Sequence, residues 1–167
     1  MKAFKNSLFT FIALTLISTS VAAQVENNMI GKWQLQKVSF KKTLSGDANN
    51  NELLLAVFKA ALYEELSAEQ RLNVDDLEAM NAEAALLLNK YHQTTIDFQP
   101  NGAFYNSAQL AGNSLSGEYL LDKKKLLLEW ETGDKNEFKV LKNTTDELIF
   151  KDPDLKVSYY YLKTNTP

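Results

Sequence analysis

Cysteine is absent from all 167 residues of the chain. No disulfide can staple it, no thiolate can ligate zinc, and no lipid can be attached at a processing site, so stability must come from buried apolar surface. Histidine is almost absent too: His92 stands alone, without the second ligand or base that a metal site or an acid–base pair needs. Its expected role is to close a helix. Nucleophile and phosphate signatures are missing as well, with no Gly-x-Ser-x-Gly, no Gly-rich loop and no His-Glu-x-x-His. The expectation is a protein that is not an enzyme, with no catalytic residue, metal or cofactor. A basic surplus is also lacking, since 18 basic residues face 21 acidic ones; nucleic acid, whose phosphates demand a basic face, is not an expected partner.

Long apolar runs are confined to the start. Lys2 and Lys5 precede an apolar stretch over residues 8–21, and Val21-Ala22-Ala23 offers small residues for a peptidase. This reads as a cleavable signal over residues 1–23; the alternative, a membrane anchor, would need a longer apolar run. The chain from residue 24 onward would carry 16 basic and 21 acidic residues, a net charge of −5. The expected product is a single domain, periplasmic or secreted, with no membrane anchor.

Residues 30–40 form the first extended run. Trp33 and Leu35 share one parity while Val38 and Phe40 share the other, so a bulge near Gln36-Lys37 is expected. Residues 41–51 read as a polar linker. Helical spacing follows over about 51–92: Leu54, Phe58, Leu62 and Leu66 in one stripe, then Leu77, Met80, Ala84, Leu87 and Tyr91 in another. Ser67-Ala68-Glu69-Gln70 has capping-box form, and Asp75 and Asp76 suit a helix N-terminus. The carboxylates of Glu64, Glu65, Glu69, Asp75, Asp76, Glu78 and Glu83 follow no cation-loop pattern and read as a solvated face.

From Gln93 the period changes to two. Turn signals separate strands over residues 94–99, 103–109, 115–121, 126–131, 136–141, 147–151 and 155–163. With the first run these make eight strands joined by tight turns, and the missing crossovers favour a barrel over a sandwich. The fold class is therefore mainly β: an eight-stranded antiparallel up-and-down barrel with a helical hairpin inserted between the first and second strands. Such a barrel is wide enough for side chains or one small ligand.

Certain residues then resemble a known family. Gly31-Lys32-Trp33 matches the Gly-x-Trp of the lipocalins, and Thr145-Asp146-Glu147 resembles their Thr-Asp-Tyr loop. Lys163 stands where that family places an Arg over the Trp. The chain is similar to bacterial lipocalin-like domain proteins, which implies an apolar ligand and makes Gly31, Trp33, Thr145, Asp146 and Lys163 structural. Fatty-acid-binding proteins also carry a two-helix lid after their first strand. They grip carboxylates with an Arg-x-Tyr on the last strand, but here Lys156-Val157-Ser158-Tyr159-Tyr160-Tyr161 has no Arg.

The candidate ligand contacts are Phe58 and Leu62 from the helices with Phe104, Tyr119, Trp130, Phe138, Phe150, Tyr159 and Tyr161 from the strands. Aromatic residues with a few polar groups build apolar pockets; the same set would also serve as a packed core. Two functions follow. In the first, a small hydrophobic ligand is held under a lid formed by residues 56–88. In the second, a filled barrel docks a protein partner through its helical insert.

Overall fold

The computed structural model describes residues 28–107 and 114–164. The leader read at residues 1–23 and the turn read at Gly112-Asn113 lie outside them. Among the described residues the elements with full bounds are nine strands and two α-helices: β1 (Gly31–Phe40), β2 (Leu44–Asp47), α1 (Asn51–Glu65), α2 (Val74–Tyr91), β3 (Thr95–Phe98), β4 (Ala103–Ser107), β5 (Ser114–Asp122), β6 (Lys125–Trp130), β7 (Lys135–Asn143), β8 (Glu147–Lys151) and β9 (Val157–Lys163). A 3₁₀ turn at Gln70–Leu72 links the helices.

Strands β3 to β9 follow one another in an antiparallel meander, and β9 returns to pair with β1. The eight strands β1 and β3–β9 thus form a closed barrel, the expected architecture. One correction applies. The segment read as a polar linker, residues 41–51, contains β2, so the helical hairpin lies between the second and third strands. β2 was hidden because Leu44-Ser45-Gly46-Asp47 has no apolar alternation. It is held by position instead: β1 gives the near half of one edge to β3 (Gly31↔Phe98 to Gln34↔Thr95) and the far half to β2 (Lys37↔Asp47 to Phe40↔Leu44).

Along its other edge β1 pairs with β9 from Trp33↔Lys163 to Phe40↔Val157, with the register slipping between Leu35 and Lys37. Gln36 is the extra residue of a bulge. That one residue resets the alternation, so Trp33, Leu35, Val38 and Phe40 are all buried on one face. The chain enters and leaves the barrel side by side, the Thr164 amide donating to the Lys32 carbonyl at 2.9 Å.

The β3–β4, β5–β6 and β7–β8 turns share the end where β1 begins. The β1–β2 turn, the β6–β7 hairpin and the β8–β9 loop share the other, and there the helices sit. Asn50 caps α1 by accepting from the Leu53 amide at 3.1 Å, and Asn73 caps α2 through the Asp75 and Asp76 amides. The Ser67–Gln70 capping box forms reciprocally, but it opens the 3₁₀ turn rather than α2. α1 buries Leu54, Val57, Phe58 and Ala61. Its first turn packs so closely on β2 that a Cβ on Gly46 would lie 2.7 Å from the Leu53–Leu54 backbone. α2 stacks on α1 and buries only Ala84 and Tyr91. The insert leaves and rejoins the barrel at one place, where the Gln93 amide meets the Ala48 carbonyl. No described helix is long and apolar enough to cross a membrane.

Inside, Gly117 of β5 lets Phe104 of β4 reach Trp130 of β6, their rings 4.8 Å apart and edge-on. A Cβ at Gly117 would collide with the Glu129 carbonyl and lie 2.9 Å from Phe104 Cε1. Gly117→Ala is expected to lower stability by about 3 kcal/mol, the upper range for overpacking a core, read as a lower urea midpoint at unchanged m-value.

Candidate functional site

The closed end is built around Trp33. Its indole Nε1 donates to the Met29 carbonyl at 2.7 Å, and the Lys163 ammonium lies 5.0 Å from its ring centroid. Gly31, at φ +116°, leaves the space that Lys163 Cε fills, 3.0 Å from where a Cβ would stand. Lys163 therefore covers the tryptophan ring by cation–π attraction. Asp146 contributes its carbonyl, which accepts from the Lys163 amide at 3.0 Å, while Thr145 is exposed. Trp33, Gly31, Lys163 and Asp146 thus form a plug at that end.

The ligand candidates face the interior from the other side. Tyr91, at the end of α2, stacks 4.6 Å from Tyr159 and 5.8 Å from Phe58 of α1. Tyr159 in turn touches Phe138 and Phe150, and Phe150 stacks on Tyr161. A second group joins Phe104, Trp130, Phe98 and Tyr119, with the Tyr119 hydroxyl donating to the Gln99 carbonyl at 2.9 Å. Leu62 is half-buried on α1, packed against the core. The aromatic candidates thus do converge, because the period-two pattern of β6, β7 and β9 dictates their common face.

The lid is tied to the rim by charge. Lys41 of the β1–β2 turn pairs with Glu64, and Lys156 of the β8–β9 loop lies 3.7 Å from Glu64 and 2.9 Å from Glu65. The Lys41 hydrogen bond holds the Glu64 carboxyl below its ordinary range, and Glu65 holds Lys156 above its own. Both lysines occupy the left-handed region, at φ 49° and 58°. Two carboxylates read from sequence as a solvated face are therefore a clasp.

Sequence reasoning missed Lys90. From the last turn of α2 its ammonium lies 4.4 Å over the Trp130 ring and 3.4 Å from Asn136 Oδ1, which also accepts from Trp130 Nε1 at 2.7 Å. Burial pulls its pKa below the usual lysine range, while Asp134, Glu83 and Asp152 pull it back. Asp152, half-buried beneath the lid, is itself pushed up by burial despite two backbone amides. A lone Lys at a helix end suggests only a favourable charge for the helix dipole. Its place beside Tyr91, the last member of the apolar stripe, was the available signal.

Among the described residues, His92 Nδ1 and Asn106 Oδ1 are buried polar atoms that make no hydrogen bond. His92 does close α2, its amide bonded to the Leu88 carbonyl at 2.8 Å. Asn106 points inward one residue before the end of β4, and the Tyr159 hydroxyl lies against that of Tyr91, its hydrogen-bonding neighbour on α2. Both unpaired atoms lie toward the helix-covered end.

No family model matches the chain and no curated protein does. Solved structures similar to it include a lipocalin-like protein from Bacteroides uniformis, at 14% identity and TM-score 0.49, covering 82% of this chain and 99% of that one. An uncharacterized protein from Bacteroides eggerthii is similar at 11% identity and TM-score 0.48, covering 81% and 99%. A duf4847 family protein from Bacteroides vulgatus is similar at 12% and 0.47, covering 85% and 98%. The closed barrel itself rests on the strand pairings above.

Burial raises the phenols of Tyr91, Tyr159 and Tyr161 well above the usual tyrosine range. A raised acid in the folded state contributes stability below the unfolded value, about pH 10, and that contribution is lost as pH climbs above it. Alkaline titration followed at 295 nm and by far-UV circular dichroism should therefore show three tyrosines ionising only as the barrel unfolds. Three early phenolates in a folded protein would place these rings in contact with solvent.

Proposed function

We propose that the chain is an exported, non-catalytic binding module that holds a small hydrophobic ligand in the barrel beneath the helical hairpin. The observation that carries this reading is the set of unpaired polar atoms at the mouth. Native interiors partner nearly all such atoms, and leaving each one orphaned costs about 1–3 kcal/mol. A bound molecule, or water held with it, supplies the missing partners at His92 and Asn106. The aromatic walls suit an apolar body, and Phe104, Tyr119, Trp130, Phe138, Tyr159 and Tyr161 would line it with Phe58 and Leu62 above. The lid docks through side chains and a charged clasp rather than through strand pairing, so it can lift without breaking the sheet.

A filled barrel that docks a protein partner is the second reading, favoured by Leu72, Val74 and Leu86, which the hairpin leaves largely exposed. Native mass spectrometry of the leader-free chain, followed by solvent extraction, separates the two. A stoichiometric apolar adduct is the expected result. A bare chain with no extractable lipid, from several expression hosts, would overturn the binding reading and favour the filled scaffold.

A further inference from the structure

The Lys90 ammonium is a feature of the mouth that the binding reading leaves unused. It is half-buried, and none of the ion pairs among the described residues includes it. An ammonium carries three donors. One is spent on Asn136 Oδ1 at a long 3.4 Å, and that oxygen is already committed to Trp130 Nε1. The indole face beneath it, 4.4 Å away, balances part of the charge but accepts no conventional hydrogen bond. A partly desolvated cation with open donors is costly unless an anion completes it.

Position adds the second half of the argument. Trp130 belongs to the ring group with Phe104, and Tyr91, next to Lys90 in the chain, belongs to the ring group with Tyr159. The ammonium therefore stands where both aromatic walls reach the lid. Burial keeps the Tyr91 and Tyr159 hydroxyls protonated, so they too can donate.

Resting on the binding reading above, we infer that the ligand is an amphiphile with an aliphatic tail and a single carboxylate, whose head is held by Lys90 at the barrel mouth. A doubly charged head fits worse. Glu83, Asp134 and Asp152 surround Lys90 closely enough to act on it electrostatically yet pair with it nowhere, and they would repel a second negative charge.

The test is calorimetric titration of the stripped, leader-free protein with sodium dodecanoate, 1-dodecanol and dodecyl phosphate, each below its micellar concentration. Wild type should bind dodecanoate at least tenfold tighter than dodecanol, and dodecyl phosphate no tighter than dodecanoate. Lys90→Met keeps the stem over Trp130 and should erase the carboxylate preference while still binding dodecanol. Lys90→Gln serves if the methionine variant does not fold, and Lys163→Met, at the far end, should leave the preference intact. Equal affinity for dodecanoate and dodecanol in wild type, or a preference that survives loss of Lys90, would overturn the inference and leave the binding reading standing. Tighter binding of dodecyl phosphate would overturn the carboxylate assignment. Failure of all three probes to bind would overturn both.

Discussion

β1 holds β9 along one edge and divides the other between β3 and β2, and the closed barrel hangs on that division. β3 pairs with only the first four residues of β1. Without β2 the far half of β1 would carry bare amides and carbonyls at the mouth, a standing invitation to pair with another chain. The Gln36 bulge belongs to the same solution. It keeps Val38 and Phe40 turned inward above Leu35, so the extended wing of β1 and β2 offers α1 an apolar surface. The lid has a seat because one strand carries one residue too many.

With no cysteine in the chain, the rings stand in for covalent staples. Offset and edge-on pairs each add about 0.5–1.5 kcal/mol beyond the area they bury, and they run from Phe58 in the lid through Tyr91 and Tyr159 to Phe138 and Phe150 in the wall. The lid and the barrel are thereby parts of one apolar network. The charged clasp of Lys41, Lys156, Glu64 and Glu65 is exposed and contributes direction more than strength.

Most of the barrel was legible because its cause is local. Alternation in Leu126, Leu128 and Trp130, or in Phe138 and Val140, follows from the two-residue pleat, and the parity break between Leu35 and Val38 located the bulge. The helices were legible through their stripes, although Val57, not Leu66, proved to be buried at the α1 seat. What escaped depends on distant partners. β2 has no pattern of its own and exists because β1 has a free edge. Gly46 and Gly117 matter for backbones many residues away. Lys90 became interesting only when α2 brought it over Trp130, forty residues later in the chain. The plug at Trp33 lay between these extremes: its motif was readable, but Lys163's coverage of the ring needed the fold.

The hydrogen bond between Thr164 and Lys32 has an orientational consequence. Both ends of the barrel's chain depart from the plugged face, opposite the helices. A surface linkage made beside Lys32 or Thr164 therefore pulls on the plug and leaves the helix-covered end turned outward. Residues 32 and 164 are near enough to be joined by a short loop, so a circular permutant opened elsewhere would leave the helix-covered end untouched.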